Sequence, residues 1–326
     1  MFTLFISETE IARVPGLSAA GANAEALPYT SPADADLLFY DRPKVVDCIP
    51  FDPFGHPTPG LITKAAVLEG NIPVQVARAG TSVAPVAPFS ELCSKAGGDP
   101  RRGPSVAHAD EIAEKAARMA RESSGDKLQV LAESIPGGTT TALLLLRALG
   151  YEGTVSSASP TNPLPLKEKI WQEVCARLDI KAGGLKGRGL AAAAEVGDPM
   201  QIAVASYVAA LPDDVKVVLA GGTQMMAVAA LLRDMGVKRD LLVATTKYVA
   251  NDETSCFEKY GGEIGVRTYA AQLDFSRSKH TGLSDYEKGF VKEGVGIGGA
   301  VWYALRNGAT IEGITKRSEE LYEGMI

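Results

Sequence analysis

The feature that most constrains this chain is one stretch, residues 128–151, whose three parts are typical of a strand, a turn and a helix. The first part, LQVLA, is a short apolar run rich in branched residues, as expected for a buried strand. A Pro-Gly-Gly sequence interrupts the run, and three threonines follow with hydroxyls of the kind that cap a helix. Residues 142–149 are then strongly helical and apolar, and they end at Gly150, a typical glycine for terminating a helix.

A glycine-rich turn between a strand and a helix favours an anion site, because backbone N–H groups and the positive helix end meet there. Phosphate is the usual biological ligand, although many α/β proteins contain such a turn with nothing bound. No Lys-Ser or Lys-Thr follows the glycines and the stretch has no G-x-G-x-x-G, which excludes a Walker A loop and a dinucleotide fingerprint there. Glu133 lies at the end of the strand, where ligands bind in open α/β sheets.

Strand-like and helix-like segments alternate along most of the chain. Apolar runs predict strands at residues 2–6, 37–40, 71–78, 128–132, 153–157, 215–219 and 241–244. Helical patterns predict helices at residues 109–122, 142–149, 166–178, 198–211, 225–235 and 301–305. Such an alternation with short connections predicts an α/β fold: a mostly parallel, doubly wound, Rossmann-like sheet with helices on both faces.

The composition excludes several classes of partner. The net charge of −6 argues against a nucleic acid held by a basic surface. The longest uncharged run, residues 217–232, contains Gly-Gly-Thr-Gln, so we expect no membrane span. The N-terminus, MFTLFISETE, lacks the basic region of a signal peptide, and we expect a cytoplasmic protein. We expect reduced thiols and no metal site, since the cysteines are far apart and lack metal-binding spacing: Cys48, Cys93, Cys175 and Cys256.

Two glutamates each precede a glycine-rich turn that leads into a helix. Glu133 precedes the turn described above, and Glu293 precedes a second cluster, GVGIGGA, before the helix predicted at residues 301–305. A carboxylate beside a phosphate is unfavourable for binding, because like charges repel. It is more useful as a base or as a partner for a developing cation. The structural alternative is that each glutamate caps the backbone N–H groups of its own turn.

Four motifs, taken in order, resemble those of the nicotinate-nucleotide:dimethylbenzimidazole phosphoribosyltransferases. E-S-I-P-G-G-T-T from Glu133 resembles the family's E-M-G-I-G-N-T-T, and E-G-V-G from Glu293 is similar to its C-terminal E-G-T-G. Between them, G-D-P-M-Q at 197–201 and A-G-G-T at 220–223 resemble the family's two intervening turns. The resemblance covers residue 128 to the C-terminus, and the whole length looks closest to the family's archaeal branch, with its S-I-P-G-G-T-T-T and A-G-G-T-Q-M segments.

The resemblance implies transfer of phosphoribosyl from nicotinate mononucleotide to a nitrogen of an aromatic base, which forms an α-ribazole-type phosphate for cobalamin or another cobamide. It implies small-molecule substrates, no cofactor and no metal, because the leaving group is already a cationic pyridinium. It also implies one unit of residues 1–326, with an α/β core at about residues 30–290 and a smaller subdomain formed by the terminal segments. A homodimer is implied as well; the apolar residues 202–211 could serve its interface or be buried within the monomer.

The resemblance also assigns roles to individual residues. Glu293 falls on the catalytic base, which takes the proton from the attacking ring nitrogen, and Glu133 falls on a supporting catalytic glutamate. The residues that the resemblance assigns to the substrate or its phosphate are Gly137, Gly138, Thr139, Thr140, Lys169, Thr245, Gly294, Gly296 and Gly298. Of these, Lys169 aligns without gaps with the family's phosphate-contacting lysine, and Thr245 replaces a family serine.

Two other interpretations remain open from the sequence. The first is a non-catalytic nucleotide-binding sensor or chaperone of the same pathway, and it is favoured by Ile135, which replaces a glycine of the family motif. The second is an unrelated sugar-phosphate enzyme of similar architecture. The accepting base is also open, among dimethylbenzimidazole, another benzimidazole, a phenol and a purine such as adenine.

Overall fold

The computed structural model describes residues 1–21, 23–123 and 125–325, which form one parallel sheet covered by helices on both faces. The strands are β1 Phe2–Ser7, β2 Val74–Gly80, β3 Ser90–Glu91, β4 Leu128–Ser134, β5 Lys216–Ala220, β6 Leu241–Thr246 and β7 Arg267–Ala271. The helices are α1 Leu27–Phe39, α2 Gly60–Glu69, α3 Ala109–Glu122, α4 Gly138–Ala148, α5 Leu164–Leu178, α6 Leu190–Val196, α7 Pro199–Ala210, α8 Thr223–Asp234, α9 Lys247–Ala250, α10 Phe257–Ile264, α11 Thr281–Ser284, α12 Ile297–Arg306 and α13 Ile311–Met325.

The strand order β3-β2-β1-β4-β5-β6-β7 makes this a doubly wound sheet, as predicted. From β1 the chain moves outward through β2 and β3, and from β4 it moves the opposite way through β5, β6 and β7. The winding direction therefore reverses between β1 and β4, which pair in parallel from Phe2 opposite Val130 to Ile6 opposite Ser134. In open α/β sheets, ligands bind outside the carboxyl ends of the strands at such a reversal.

Each face of the sheet carries its own apolar core. Helices α3, α4, α7 and α8 build one core, to which Leu144 and Ile202 contribute fully buried side chains. Helices α1, α2 and α12 build the other, which includes Leu61 and Val301. The apolar residues of α7 thus pack inside the monomer, and a dimer interface would have to use another surface.

Two predicted strands are wrong. Residues 37–40 belong to the end of α1 and its cap, because a short apolar run cannot distinguish a buried helix from a buried strand. Residues 153–157 form a loop, because β4 pairs directly with β5 and leaves no place between them for another strand. Side chains fix this loop instead: Thr154 Oγ1 donates to the carbonyl of Thr254 at 2.6 Å, and Asn162 Nδ2 donates to that of Val155 at 2.6 Å.

The terminal segments bear on the predicted division into a core and a smaller subdomain. Phe2–Ser7 is β1, in the middle of the sheet, so this part of the N-terminal segment belongs to the α/β core. The C-terminal helices α12 and α13 pack against α2. Across residues 1–21, 23–123 and 125–325, no helix combines the length and the apolar character needed to cross a membrane.

Candidate active site

A pocket lies at the carboxyl ends of β1 and β4, at the reversal of the sheet. Its walls come from residues 17–21, from α1, from the loop at residues 50–59, from the turn after β4 and from the segment before α12. Glu133 and Glu293 both line it, although 160 residues of sequence separate them (293 − 133). The fold therefore brings together the two glutamates that the sequence singled out.

Glu133, the penultimate residue of β4, is buried with only 1% of its surface exposed. Among the residues that the structure describes, its Oε1 atom has no hydrogen-bond partner. Gly221 leaves room for this carboxyl, since a Cβ at that position would lie 3.2 Å from Oε1. Burial and then the charges of Glu293, Asp198 and Asp34 raise the pKa of Glu133 well above its usual value. An ionised form of Glu133 is therefore disfavoured.

Glu293, unlike Glu133, has hydrogen-bond donors around its carboxylate. Its Oε1 atom accepts hydrogen bonds from the N–H groups of Gly294 at 3.2 Å and Gly298 at 3.4 Å. Its Oε2 atom accepts one from Thr245 Oγ1 at 3.2 Å. Burial raises the pKa of Glu293 to about 7, although these hydrogen bonds act to lower it. A carboxyl with a pKa near neutrality is well suited to act as a general base.

The backbone around Glu293 adopts a conformation that residues with a Cβ atom rarely adopt. Val291, Lys292 and Val295 have φ angles of 60°, 64° and 53°. The segment is held by an ion pair between Lys292 Nζ and Asp252 Oδ2 at 2.7 Å, and by Thr246 Oγ1, which donates to the Lys292 carbonyl at 2.5 Å. Such conformations are unfavourable and concentrate at functional sites, where the surrounding structure maintains them.

The first glycine-rich turn opens toward the pocket. Gly137 caps the N-terminus of α4 with a φ of +81°, and Gly137, Gly138 and Thr139 all line the pocket. Thr140 is fully buried behind them. Ile135, which replaces the glycine of the family motif, packs on Gly138, where a Cβ would lie 2.6 Å from Ile135 Cγ2. The turn is therefore compact, and it presents the positive end of α4 to the pocket.

The second glycine cluster packs α12 closely onto the sheet. A Cβ at Gly298 would lie 2.3 Å from the carbonyl carbon and oxygen of Thr245, and one at Gly296 would lie 2.5 Å from Ala132 Cβ. The amides of Gly294 and Gly298, which we predicted to contact phosphate, donate to the carboxylate beside them. The structure thus gives these glycines a part in positioning that carboxylate.

Lys169, predicted to contact the phosphate, is not brought to the pocket. Its side chain is 70% exposed on α5, and its Nζ lies 4.0 Å from Glu173 Oε1. Lys167 points the other way, because residues two positions apart on a helix face different directions. It is fully buried, and its Nζ donates to the Ser156 carbonyl at 3.0 Å and to Asn162 Oδ1 at 3.1 Å. Burial lowers the pKa of Lys167 to about 7.

Two buried aspartates beside the pocket were not predicted as site residues. Asp34 on α1 accepts hydrogen bonds from Thr58 Oγ1 at 2.5 Å and Ser134 Oγ at 2.7 Å. Asp198 caps α7 and accepts a hydrogen bond from Thr141 Oγ1 at 2.5 Å. Burial raises the pKa of each aspartate to about 6. The Gly-Asp-Pro sequence signals Asp198 as a helix cap, whereas nothing in the local sequence marks Asp34.

His56 closes one wall of the pocket. Its Nδ1 lies 2.7 Å from Asp52 Oδ2 and its Nε2 lies 3.1 Å from Asp285 Oδ2, so it joins the loop at residues 50–59 to the C-terminal segment. Its ring packs on Phe290 with 4.3 Å between centroids. In the described part of the chain, no group of three or more His, Cys, Asp and Glu side chains is arranged to hold a metal ion.

Comparison with solved structures identifies two chains with a similar fold. The chain is similar to the nicotinate-nucleotide-dimethylbenzimidazole phosphoribosyltransferase of Thermus thermophilus, with a TM-score of 0.63, 17% identity, and coverage of 98% of this chain and 82% of that one. A second structure, CobT from Thermus thermophilus, gives a TM-score of 0.62, 18% identity and coverage of 98% and 83%. At this identity the likeness establishes the α/β fold, which agrees with the resemblance read from the motifs.

Closer relatives define the family. A UPF0284 protein of Pyrococcus furiosus is 49% identical over 331 residues, which cover 100% of this chain and 99% of the relative. A UPF0284 protein of Methanothermobacter thermautotrophicus is 40% identical, with coverage of 98% and 92%. The chain therefore belongs to the UPF0284 family. No protein-family model matches it.

Proposed function

We propose that this protein transfers a phosphoribosyl group from nicotinate mononucleotide to a ring nitrogen of an aromatic base, such as dimethylbenzimidazole. The products would be nicotinate and an α-ribazole-type phosphate for the nucleotide loop of cobalamin or another cobamide. One observation carries the proposal: the pocket combines a carboxylate whose pKa is about 7, Glu293, with the open N-terminus of α4. The first suits a base, and the second suits a phosphate.

In this proposal the two substrates meet between the two glycine-rich turns. The phosphate of the mononucleotide binds at Gly137, Gly138 and Thr139, where the helix dipole favours an anion. The lone pair of the base nitrogen attacks C1′ of the ribosyl group, and the electrons of the broken C–N bond return to the pyridine ring of nicotinate. Glu293 takes the proton that the attacking azole loses, while Thr245 and the amide of Gly298 hold its carboxylate in place.

Of three predicted features, the proposal omits one, gives another a different role and keeps the third. Lys169 is left out of the phosphate site because its side chain is solvent-exposed beside Glu173. Gly294, Gly296 and Gly298 are proposed to position Glu293 and α12 and are not proposed as phosphate ligands. A homodimer remains part of the proposal on the family resemblance alone, and a cytoplasmic location remains an expectation from the sequence.

The test is incubation of the protein with nicotinate mononucleotide and a panel of bases: dimethylbenzimidazole, benzimidazole, a phenol and adenine. Nicotinate release is followed by chromatography, and the product mass identifies the base that was used. We expect release that depends on the base, together with a product of the mass of the base ribotide. Binding of the mononucleotide in a calorimeter without release under any condition would instead support a non-catalytic sensor.

A further inference from the structure

The two glutamates of the pocket differ in hydrogen bonding, although each precedes a glycine-rich turn that leads into a helix. Glu293 accepts hydrogen bonds from two backbone amides and one hydroxyl, as an ionised carboxylate requires. Glu133 is 1% exposed, and within the described residues its Oε1 atom has no donor at all. A buried carboxylate anion without donors is strongly unfavourable, whereas a neutral carboxylic acid has a proton to donate itself.

The charges around Glu133 disfavour its ionised form, as does its lack of hydrogen-bond donors. Three elements bring a carboxyl group toward it: α1 brings Asp34, the start of α7 brings Asp198, and the segment before α12 brings Glu293. Two buried lysines, Lys292 and Lys167, are each engaged with other groups. Lys292 pairs with an aspartate at 2.7 Å, and Lys167 donates to a carbonyl at 3.0 Å and an amide oxygen at 3.1 Å. None of these side chains stabilises a negative charge on Glu133.

We infer that Glu133 is the protonated member of the pair and donates a hydrogen bond from its carboxyl group to a ribose hydroxyl of the bound nucleotide. The inference rests on the proposed function, which supplies the nucleotide. Glu133 lines the same pocket as the turn at Gly137, where the phosphate is proposed to bind, and as Glu293, which is proposed to face the attacking base. The ribosyl group of the donor connects this phosphate to the reacting carbon, C1′, and the inference places one of its hydroxyls against Glu133.

Protonation also removes a conflict that the sequence raises. An ionised Glu133 would repel the phosphate bound at the adjacent turn, as well as the carboxylate of Glu293. A neutral Glu133 repels neither, and it leaves Glu293 as the ionised carboxylate that accepts the proton from the azole. The two glutamates thus divide the work, one as a neutral donor and the other as a base.

Isosteric substitution of Glu133 distinguishes a neutral carboxylic acid from an ionised carboxylate at this position. Glu133→Gln keeps a donor of the same size, and we expect it to retain kcat/KM within about fivefold, whereas Glu133→Leu should lose roughly tenfold because one hydrogen bond is lost. Glu293→Gln serves as the matched control, with a loss of roughly a hundredfold or more as a base is removed. A loss in Glu133→Gln as large as in Glu293→Gln would overturn the inference, since it would show that Glu133 works as an anion.

A measurement on the ligand-free protein tests the inference without an activity assay. Carbon-13 labelling of the glutamate carboxyls, with Glu133→Gln to assign the signal, follows protonation directly as the pH is varied. We expect the Glu133 carboxyl to remain protonated at pH 7, unlike an ordinary glutamate, which titrates at about 4.3. If Glu133→Gln does not fold, Glu293→Gln assigns the signal of Glu293, and the wild-type spectrum must contain a second glutamate signal that stays protonated at pH 7.

Titration of the Glu133 carboxyl near the ordinary value would overturn the inference. Failure of the wild type to release nicotinate from nicotinate mononucleotide with any base would contradict the proposed function instead. The two failures are therefore distinguishable.

Discussion

The two glycine-rich helix starts look alike in the sequence but do different work in the structure. At the start of α4, Gly137, Gly138 and Thr139 line the pocket, and the helix end faces open space. At the start of α12, Gly298 lies so close to β6 that a Cβ would come within 2.3 Å of the Thr245 carbonyl. The first turn lines the pocket, whereas the second uses the missing side chain to bring a helix and a carboxylate close to the sheet.

The comparison shows what a glycine motif does and does not specify. Both starts use positive φ angles, +81° at Gly137 and +70° at Gly296, so backbone freedom alone does not separate them. Their surroundings do: Gly137 and Gly138 line the pocket and pack against Ala12 and Ile135, whereas Gly298 packs against the Thr245 backbone of the sheet. The family resemblance places both turns at the substrate, and the structure separates them into a turn that lines the pocket and a turn that packs a helix and Glu293 against the sheet.

The largest expected effect is on the residue that the second turn positions. Glu293→Gln keeps the size of the side chain but cannot accept a proton, so kcat should fall by roughly 10²–10⁴-fold while binding of nicotinate mononucleotide persists. Nicotinate release and the melting temperature should be measured on the same sample. A simple cap of the Gly294 turn would give the reverse pattern, with a lower melting temperature and nearly normal turnover per folded molecule.

The packing of the second turn gives the next largest effect. Gly298→Ala would place a Cβ on the Thr245 backbone, which cannot move as a flexible side chain can, and overpacking of this kind costs about 1–3 kcal/mol of unfolding free energy. Gly262→Ala is the matched control, because that glycine lies in α10 with nothing within 4 Å of a Cβ. We expect the control to change stability by at most about 1 kcal/mol, in the stabilising direction. Chemical denaturation of both variants measures the difference, and equal stabilities would refute the packing role.

The pH dependence of the reaction tests the state of the positioned carboxylate. Because burial raises the pKa of Glu293 to about 7, the protonated form predominates at lower pH and cannot act as a base. We expect kcat/KM to fall about tenfold per pH unit well below pH 7 and to level off above it. An acceptor that does not itself titrate in this range is needed for the measurement. A profile that stays flat down to pH 5 would show that Glu293 is not the base.

The fold was largely predictable because its signals are local and repeated. The alternation of apolar runs with helical patterns predicts the doubly wound sheet, and the stretch around Glu133 predicts β4, its turn and α4 with Gly150 after the helix. The errors at residues 37–40 and 153–157 have one cause. Each is a short segment whose secondary structure depends on the elements that it packs against in the folded protein. A local sequence pattern does not reveal these tertiary neighbours.

The site was predictable in part, and the reason is again physical. Glu133 and Glu293 stand beside glycines that mark their turns, so the sequence draws attention to them. Asp34 has no such marker, since its importance comes from burial against Ser134 and Thr58 on other elements. Gap-free alignment selected Lys169, yet the buried lysine of this helix is Lys167. A shift of two residues reverses the face of a helix, and sequence alone does not fix it.

The smallest effect is expected at Lys169, and it tests whether the first turn binds phosphate through its backbone without help from this lysine. An exposed pair such as Lys169–Glu173 contributes about 0–1 kcal/mol, so Lys169→Ala should leave stability nearly unchanged and should change KM for nicotinate mononucleotide by less than about twofold. Loss of a direct phosphate contact would instead raise KM about tenfold or more, since hydrogen bonds to charged groups contribute about 1.5–3 kcal/mol. The matched variant is Lys167→Met, which keeps the length of the side chain but loses its bonds to Ser156 and Asn162. It should lower the melting temperature and disturb the loop that begins at residue 153, whose Ser157 and Ala158 line the pocket. A tenfold rise in KM for Lys169→Ala would instead return that lysine to the phosphate site.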